Sequence, residues 1–291
     1  MSTAAMTLNL SSLIGSVLIA IVCVFMLSVL LRSIIIKPDV VLILTANNYL
    51  SIFAFEILSV SNNMDVYRAQ HKLYVVEETL ICRIKGYSIY SLTAIIFNSF
   101  ALHAVFRFCR VVYPSHIWLQ YRITYAVIIP MLWVISFLLL LPVHIWHDVE
   151  LIPTENICLF DVDDARAYRW STIIIYYLPM IFIGIIYFKV VRYMHRSVLT
   201  TSVRSKLDLI VARRIVRAVR VLILVSAPTV VMEVMLPSTD TLKPLFYRIL
   251  NATLVMIMVA LSLMLVYVTP QLKQILARFA KRNRVSSVYL K

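Results

Sequence analysis

Residues 11–33 read SSLIGSVLIAIVCVFMLSVLLRS, with no charged side chain before Arg32. About 20 apolar residues in a helix cross the ~30 Å of hydrocarbon in a bilayer. No water is available there to pair with backbone N–H and C=O groups, so the segment must satisfy them internally as a helix. Six further apolar runs follow, at Val40–Val60, Leu80–Val112, Tyr125–His144, Trp170–Tyr193, Leu209–Leu236 and Leu242–Val268. The third, fifth and sixth of the seven runs are over-long, so tilt or protrusion beyond the membrane is expected. The composition agrees, because 62% of the 291 residues are hydrophobic and 14% are charged. A soluble domain averages about 45–50% and about 25%. With 3 glycines in the chain, a β-barrel, a Gly-rich phosphate loop and a dinucleotide-binding unit are all disfavoured. The expected fold is an all-α membrane protein, a seven-helix bundle.

Pro270–Arg284 has a different pattern. Leu272, Ile275, Leu276 and Phe279 recur at helical spacing, with Lys273, Arg278, Lys281, Arg282 and Arg284 between and after them. This reads as a short amphipathic eighth helix lying on a membrane face. The chain thus divides into an outer N-terminus (1–10), a membrane domain (11–268), and an amphipathic helix with an inner tail (269–291). Residues 1–10 lack the charged start and small-residue cleavage site of a cleavable signal, so the first helix is read as retained.

The net charge of +14 is unevenly placed. The segments Arg32–Asp39, Arg107–Arg122, Lys189–Arg220 and the tail from Lys273 hold 20 Lys/Arg and 2 acids. All remaining segments together carry a net −4. Basic loops stay in the cytoplasm, so the N-terminus is expected outside and the C-terminus inside. The charge is therefore read as a topology signal that also suits anionic membrane lipid or an acidic cytosolic partner, with no nucleic-acid role. Asn9-Leu10-Ser11 is a glycosylation sequon on the expected outer side. Of the four cysteines, Cys82 and Cys158 are the two on that side, where disulfides form, and a bridge between them is expected. It would tie the third helix to the loop before the fifth.

These features together resemble the rhodopsin-like family of G-protein-coupled receptors across almost the whole chain. Arg107 follows Cys82 by 25 residues, inside Phe106-Arg107-Phe108, and Pro114 follows seven later. That is the register of the family's Asp-Arg-Tyr motif. Trp133 and Pro142 in the fourth run, Pro179 and Tyr187 in the fifth, Pro228 in the sixth and Tyr267 at the end of the seventh also match. The resemblance implies a plasma-membrane receptor that binds an extracellular ligand and activates a heterotrimeric G protein. Arg107, Tyr187 and Tyr267 would form the activation switch, with Pro179 and Pro228 kinking their helices. Departures place the chain among divergent, invertebrate orphan-type members. Phe106 replaces the acid that restrains the arginine, which predicts high basal signalling. Asn48 stands at an acidic position, so no bound sodium is expected. Ser226 replaces a tryptophan, and the Asn-Pro pair of the seventh helix is missing.

The resemblance also bounds the ligand. Ile89 stands where amine receptors carry an aspartate, which argues against a biogenic amine. No lysine lies between Arg248 and Pro270, so a retinal Schiff base is excluded there and no cofactor is expected. The candidate outer pocket draws on Lys85, Ile89, Tyr90, Thr93, Tyr176, Tyr177, Thr229, Glu233, Tyr247, Arg248 and Thr253. Asp161, Asp163 and Asp164 make the outer loop acidic, a surface that attracts a cationic or amphipathic peptide. The alternative is a transporter or channel, which needs charged residues at the midplane and repeated halves. Those are not visible. An enzyme is not expected, because the six histidines are scattered and neither a His-Glu-x-x-His nor a Gly-x-Ser-x-Gly pattern occurs.

Overall fold

The computed structural model describes residues 3–71, 78–113, 115–152, 157–160, 165–197 and 243–277. In order, these form α1 (Thr3–Ile36), α2 (Val40–Gln70), α3 (Leu80–Val112), α4 (Arg122–Ile145), strands β1 (Val149–Ile152) and β2 (Ile157–Phe160), α5 (Ala165–Thr172), α6 (Leu178–Ser197) and α7 (Lys243–Val268). A π-helical turn, Ile173–Tyr177, joins α5 to α6 in one rod. Among the described residues six helices are long and apolar enough to cross a membrane. The expected span Leu209–Leu236, with Pro228, Thr229 and Glu233, lies outside them, as do Ser226 and the outer acids Asp161, Asp163 and Asp164.

Side chains that take up unpaired backbone donors set where two helices begin. Asp39 accepts from the Val41 N–H at 3.1 Å and opens α2. Thr79 accepts from the Cys82 N–H at 3.3 Å and opens α3. Pro179 shapes the fifth rod. It lacks an N–H, and its ring clashes with the carbonyl four residues back, so the ladder ahead of it widens. The Leu178 N–H accordingly donates to the Ile173 carbonyl, five residues away.

The helices run longer than the apolar runs suggest. α1 begins at Thr3, so residues 3–10 belong to the helix. α2 continues past Val60 to Gln70, because Ser59, Asn63 and Val66 turn inward and are buried. A polar residue ends an apolar run in the sequence, yet in the bundle it can face neighbouring helices. Asn9 shows the same effect. It is 7% exposed in α1, which leaves no room for a glycan at the sequon.

α3 lies at the centre, with 78% of its most apolar stretch buried, against 17% in α4. α1 packs on α2 and α7, and α3 packs on α2, α4, α6 and the hairpin. Ile14, Leu18, Ile21 and Phe25 form an outward stripe on α1, each more than 50% exposed. A water-facing surface does not carry such a stripe at helical spacing, whereas lipid covers it. Hydrogen bonds cross between helices inside. Asn47 on α2 donates to the Ser99 hydroxyl on α3 at 2.9 Å and accepts from the Trp133 indole on α4 at 3.0 Å. The Tyr49 hydroxyl donates to the Ser262 carbonyl of α7 at 2.9 Å. After Thr269 the chain is helical again over 270–277, with Leu272 buried and Lys273 exposed. Residues 278–284 of the expected amphipathic helix lie outside the described residues.

Candidate functional site

The end of the bundle that holds Cys82 is closed by a β-hairpin, where the sequence predicts only a loop. β1 and β2 pair antiparallel, with Leu151 opposite Cys158 and Val149 opposite Phe160. Cys158 is disulfide-bonded to Cys82, as expected, with the two Cα atoms 5.5 Å apart. One turn along α3, Gly86 lets the hairpin approach closely. A Cβ there would collide with the Cys158 carbonyl and come within 2.8 Å of Val149 Cγ1. Phe160 is held from two helices. Its ring stacks on Tyr90 of α3 at 3.7 Å between centroids, and its carbonyl accepts from the Tyr247 hydroxyl of α7 at 3.3 Å.

Beneath the hairpin is a cavity of about 180 Å³ between α1, α2, α3, α5, the π-helical turn and α7. Ile89, Tyr90, Thr93, Tyr176, Tyr177, Tyr247 and Arg248 line it, so seven of the expected residues are brought together. Ile157 and Leu159 of β2 form its cover. Two expected residues are not in the lining. Lys85 is held by Asp65 of α2, Nζ to Oδ2 2.8 Å, in a half-buried ion pair. Thr253 is buried in α7 away from the cavity wall. Glu233 and Thr229 fall outside the described residues.

The wall also contains residues that sequence reasoning missed, chiefly Phe55, Ser59, Asn62 and Asn63 of α2 and Asn9 of α1. The available signal was the asparagine pair Asn62-Asn63, with Asn63 seven residues and about two turns beyond Glu56, on the same helix face. Asn63 accepts from Asn251 of α7 at 2.7 Å, and Ser59 shares a hydrogen bond with Ser16 of α1 at 3.1 Å. The same α2 face carries Glu56, fully buried, with the Ser16 hydroxyl of α1 beside its carboxyl.

At the other end of α3, Arg107 Nη2 donates to the Val268 carbonyl at the end of α7, at 3.3 Å. The arginine also lies within electrostatic reach of Tyr187. Tyr187 is buried in an apolar cluster with Ala104, Ile183, Ile186 and Val190. Arg107 thus reaches the end of α7 and lies near Tyr187. Tyr267 is 43% exposed. Phe106 points into a different cluster, with Val41, Leu44 and Tyr125, and meets the Tyr125 ring edge-on at 5.3 Å. In place of an acid beside Arg107, the chain thus has an apolar contact fastening α3 to α2 and α4.

No protein-family model matches the chain, and no curated protein matches it.

Proposed function

We propose that the chain is a divergent rhodopsin-like G-protein-coupled receptor of the plasma membrane. It has seven spanning helices and a short amphipathic eighth, with its N-terminus outside and its C-terminus in the cytoplasm. It binds an extracellular ligand, a small molecule or a peptide, beneath the hairpin and activates a heterotrimeric G protein on the inner side. One observation supports this above the rest. The central helix α3 carries pocket residues at one end and an arginine-centred cluster at the other. Ile89 and Arg107 are 18 residues apart in one helix, about 27 Å at 1.5 Å per residue, close to the thickness of the hydrocarbon.

A helix packed this way couples its two ends. Ligand binding in the outer pocket biases the positions of α3, α6 and α7, and the same helices hold Arg107 through Val268 and Tyr187. A ligand shifts such a two-state equilibrium only by its difference in affinity for the two states, and the partner on the inside is linked by the same coupling free energy. An ionisable side chain within a span is costly unless it has a role or a partner, and Arg107 has both in this scheme. Phe106 leaves it without the family's local acid, which favours signalling in the absence of ligand.

The test is nucleotide exchange on a panel of G-protein α subunits, with membranes bearing the wild-type chain or Arg107→Ala. Wild-type membranes should raise exchange on at least one α subunit above empty membranes, and Arg107→Ala should abolish the rise. Background exchange on every subunit, with a peptide and small-molecule library present, would count against the receptor reading.

A further inference from the structure

We propose that the pocket beneath the hairpin takes a small, mainly apolar molecule of one ring, held by a carbonyl-type oxygen on the side-chain amide of Asn9. This deepens the receptor reading above by naming a ligand class, while the binding chemistry rests on the cavity alone.

The cavity has a volume of about 180 Å³. An apolar protein cavity of about 150 Å³ holds benzene. One ring with a small substituent therefore fits here, and a peptide can insert no more than one side chain. Much of the wall suits apolar surface. Phe55 of α2, Ile89 and Phe97 of α3, and Leu254 and Ile257 of α7 all line it. Phe97 also meets the ring of Tyr176 edge-on at 5.8 Å, so the wall there is aromatic from both α3 and the π-helical turn.

The polar part of the wall lies toward the hairpin. Ser59 shares its hydrogen bond with Ser16, and Asn63 accepts from Asn251, so these groups have partners within the protein. Asn9 is seven residues before Ser16, about 10 Å farther toward the hairpin along α1. It lines the cavity and is 7% exposed, and its Nδ2 has no hydrogen-bond partner. A buried N–H without an acceptor is costly, so an acceptor placed beside it is stabilising. The oxygen and nitrogen of an amide occupy nearly the same space, and a half-turn of the group presents either one to the cavity. A ligand carbonyl satisfies Nδ2, whereas a hydrocarbon of the same shape leaves it unmatched. Arg248 lines the cavity too, but it already has a partner, and no ligand charge is assigned to it.

The experiment uses the full-length chain in phosphatidylcholine nanodiscs. The probe is para-fluoroacetophenone, with para-fluoroethylbenzene as its hydrocarbon match, and both are followed by fluorine NMR. Wild-type protein should bind each saturably, and each should displace the other. Asn9→Leu, which keeps the side chain near its original size, should weaken ketone binding about fivefold or more, the loss expected for one buried hydrogen bond, and leave hydrocarbon binding within about twofold. Comparing the two proteins with the same ligand cancels partition into the lipid. Ile257→Trp, which fills the apolar part of the cavity, should abolish saturable binding of both. Equal effects of Asn9→Leu on the two ligands overturn the proposal, as do unchanged ketone affinity in that variant, binding that survives Ile257→Trp, or the absence of saturable binding. Melting curves identify a variant that has lost its fold, and if Asn9→Leu is one, Asn9→Ala is read by the same comparison. Nucleotide exchange is read separately. Ketone binding without exchange leaves the pocket assignment standing and counts against the receptor reading, and exchange without ketone binding does the reverse.

Discussion

Replacing Gly86 by alanine tests how the hairpin is seated. The new Cβ would overlap the Cys158 carbonyl and lie 2.8 Å from Val149 Cγ1. Neither obstacle can easily retreat. The carbonyl is main chain at a residue disulfide-bonded to α3 one turn away, and Val149 is fixed by strand pairing to Phe160. Forcing an extra methyl into a packed contact costs about 1–3 kcal/mol, and the rigid neighbours place this case in the upper half. Alanine gains about 0.5–1 kcal/mol over glycine within a helix, which offsets part of the loss. The net destabilisation is about 1–2.5 kcal/mol, a fall in Tm of roughly 2–10 °C for a chain of this size. Gly184 on α6 supplies the control, because a Cβ there meets nothing within 4 Å. Gly184→Ala should raise Tm by a few degrees, from the helix term of about 0.5–1 kcal/mol alone. The assay is thermal unfolding in detergent with a thiol-reactive dye, which reports exposure of the buried free thiols Cys23 and Cys109. If Gly86→Ala melts at or above the wild-type temperature while Gly184→Ala behaves as expected, the hairpin does not rest on α3 as described.

Two further outcomes concern polar groups buried between helices. Asn47→Ala removes the bonds to Ser99 and Trp133, and interhelical bonds in membranes average ~0.6 kcal/mol with a maximum near 1.7 kcal/mol, so a loss of about 1–2 kcal/mol is expected. A cycle with Trp133→Phe checks it, and strictly additive losses would show that the two side chains are not coupled. Glu56→Leu should stabilise the fold by about 1–3 kcal/mol, the cost of burying a poorly satisfied polar group, because the fully buried carboxyl has the Ser16 hydroxyl beside it and no charged partner among the described residues. A lower melting temperature in that variant would mean the carboxyl has a role in holding α1, α2 and α7 together.

The helical membrane character of this protein is legible in the sequence, because lipid imposes two conditions that act locally. A span must be about 20 apolar residues long and must satisfy its own backbone, so residues 11–33 carry the answer without knowing their neighbours. The Cys82–Cys158 bridge was legible for a similar reason, since they are the two cysteines on the expected outer side. Positions along α3 were also readable, because a regular helix converts spacing into depth, and Ile89, Tyr90 and Thr93 fall in the pocket wall while Arg107 falls at the opposite end.

Direction around each helix was decided only by packing. Asn9 reads as a glycosylation site and is an inward pocket residue. Lys85 reads as a pocket cation and is paired with Asp65. Ser59, Asn62 and Asn63 read as the end of a span and instead line the cavity. In each case the side chain's role depends on which other helix faces it, and hydropathy along one segment contains no term for that. The hairpin was missed for a related reason. Val149–Ile152 and Ile157–Phe160 are four residues each, too short to stand as strands alone, and they hold their shape because α3 offers Gly86 and Tyr90 beneath them. The sequence by itself determined how the chain meets lipid, which is a property of each segment. The pocket, its cover and the burial of Arg248 were decided by contacts between segments far apart in sequence, and these exist only once the helices are packed.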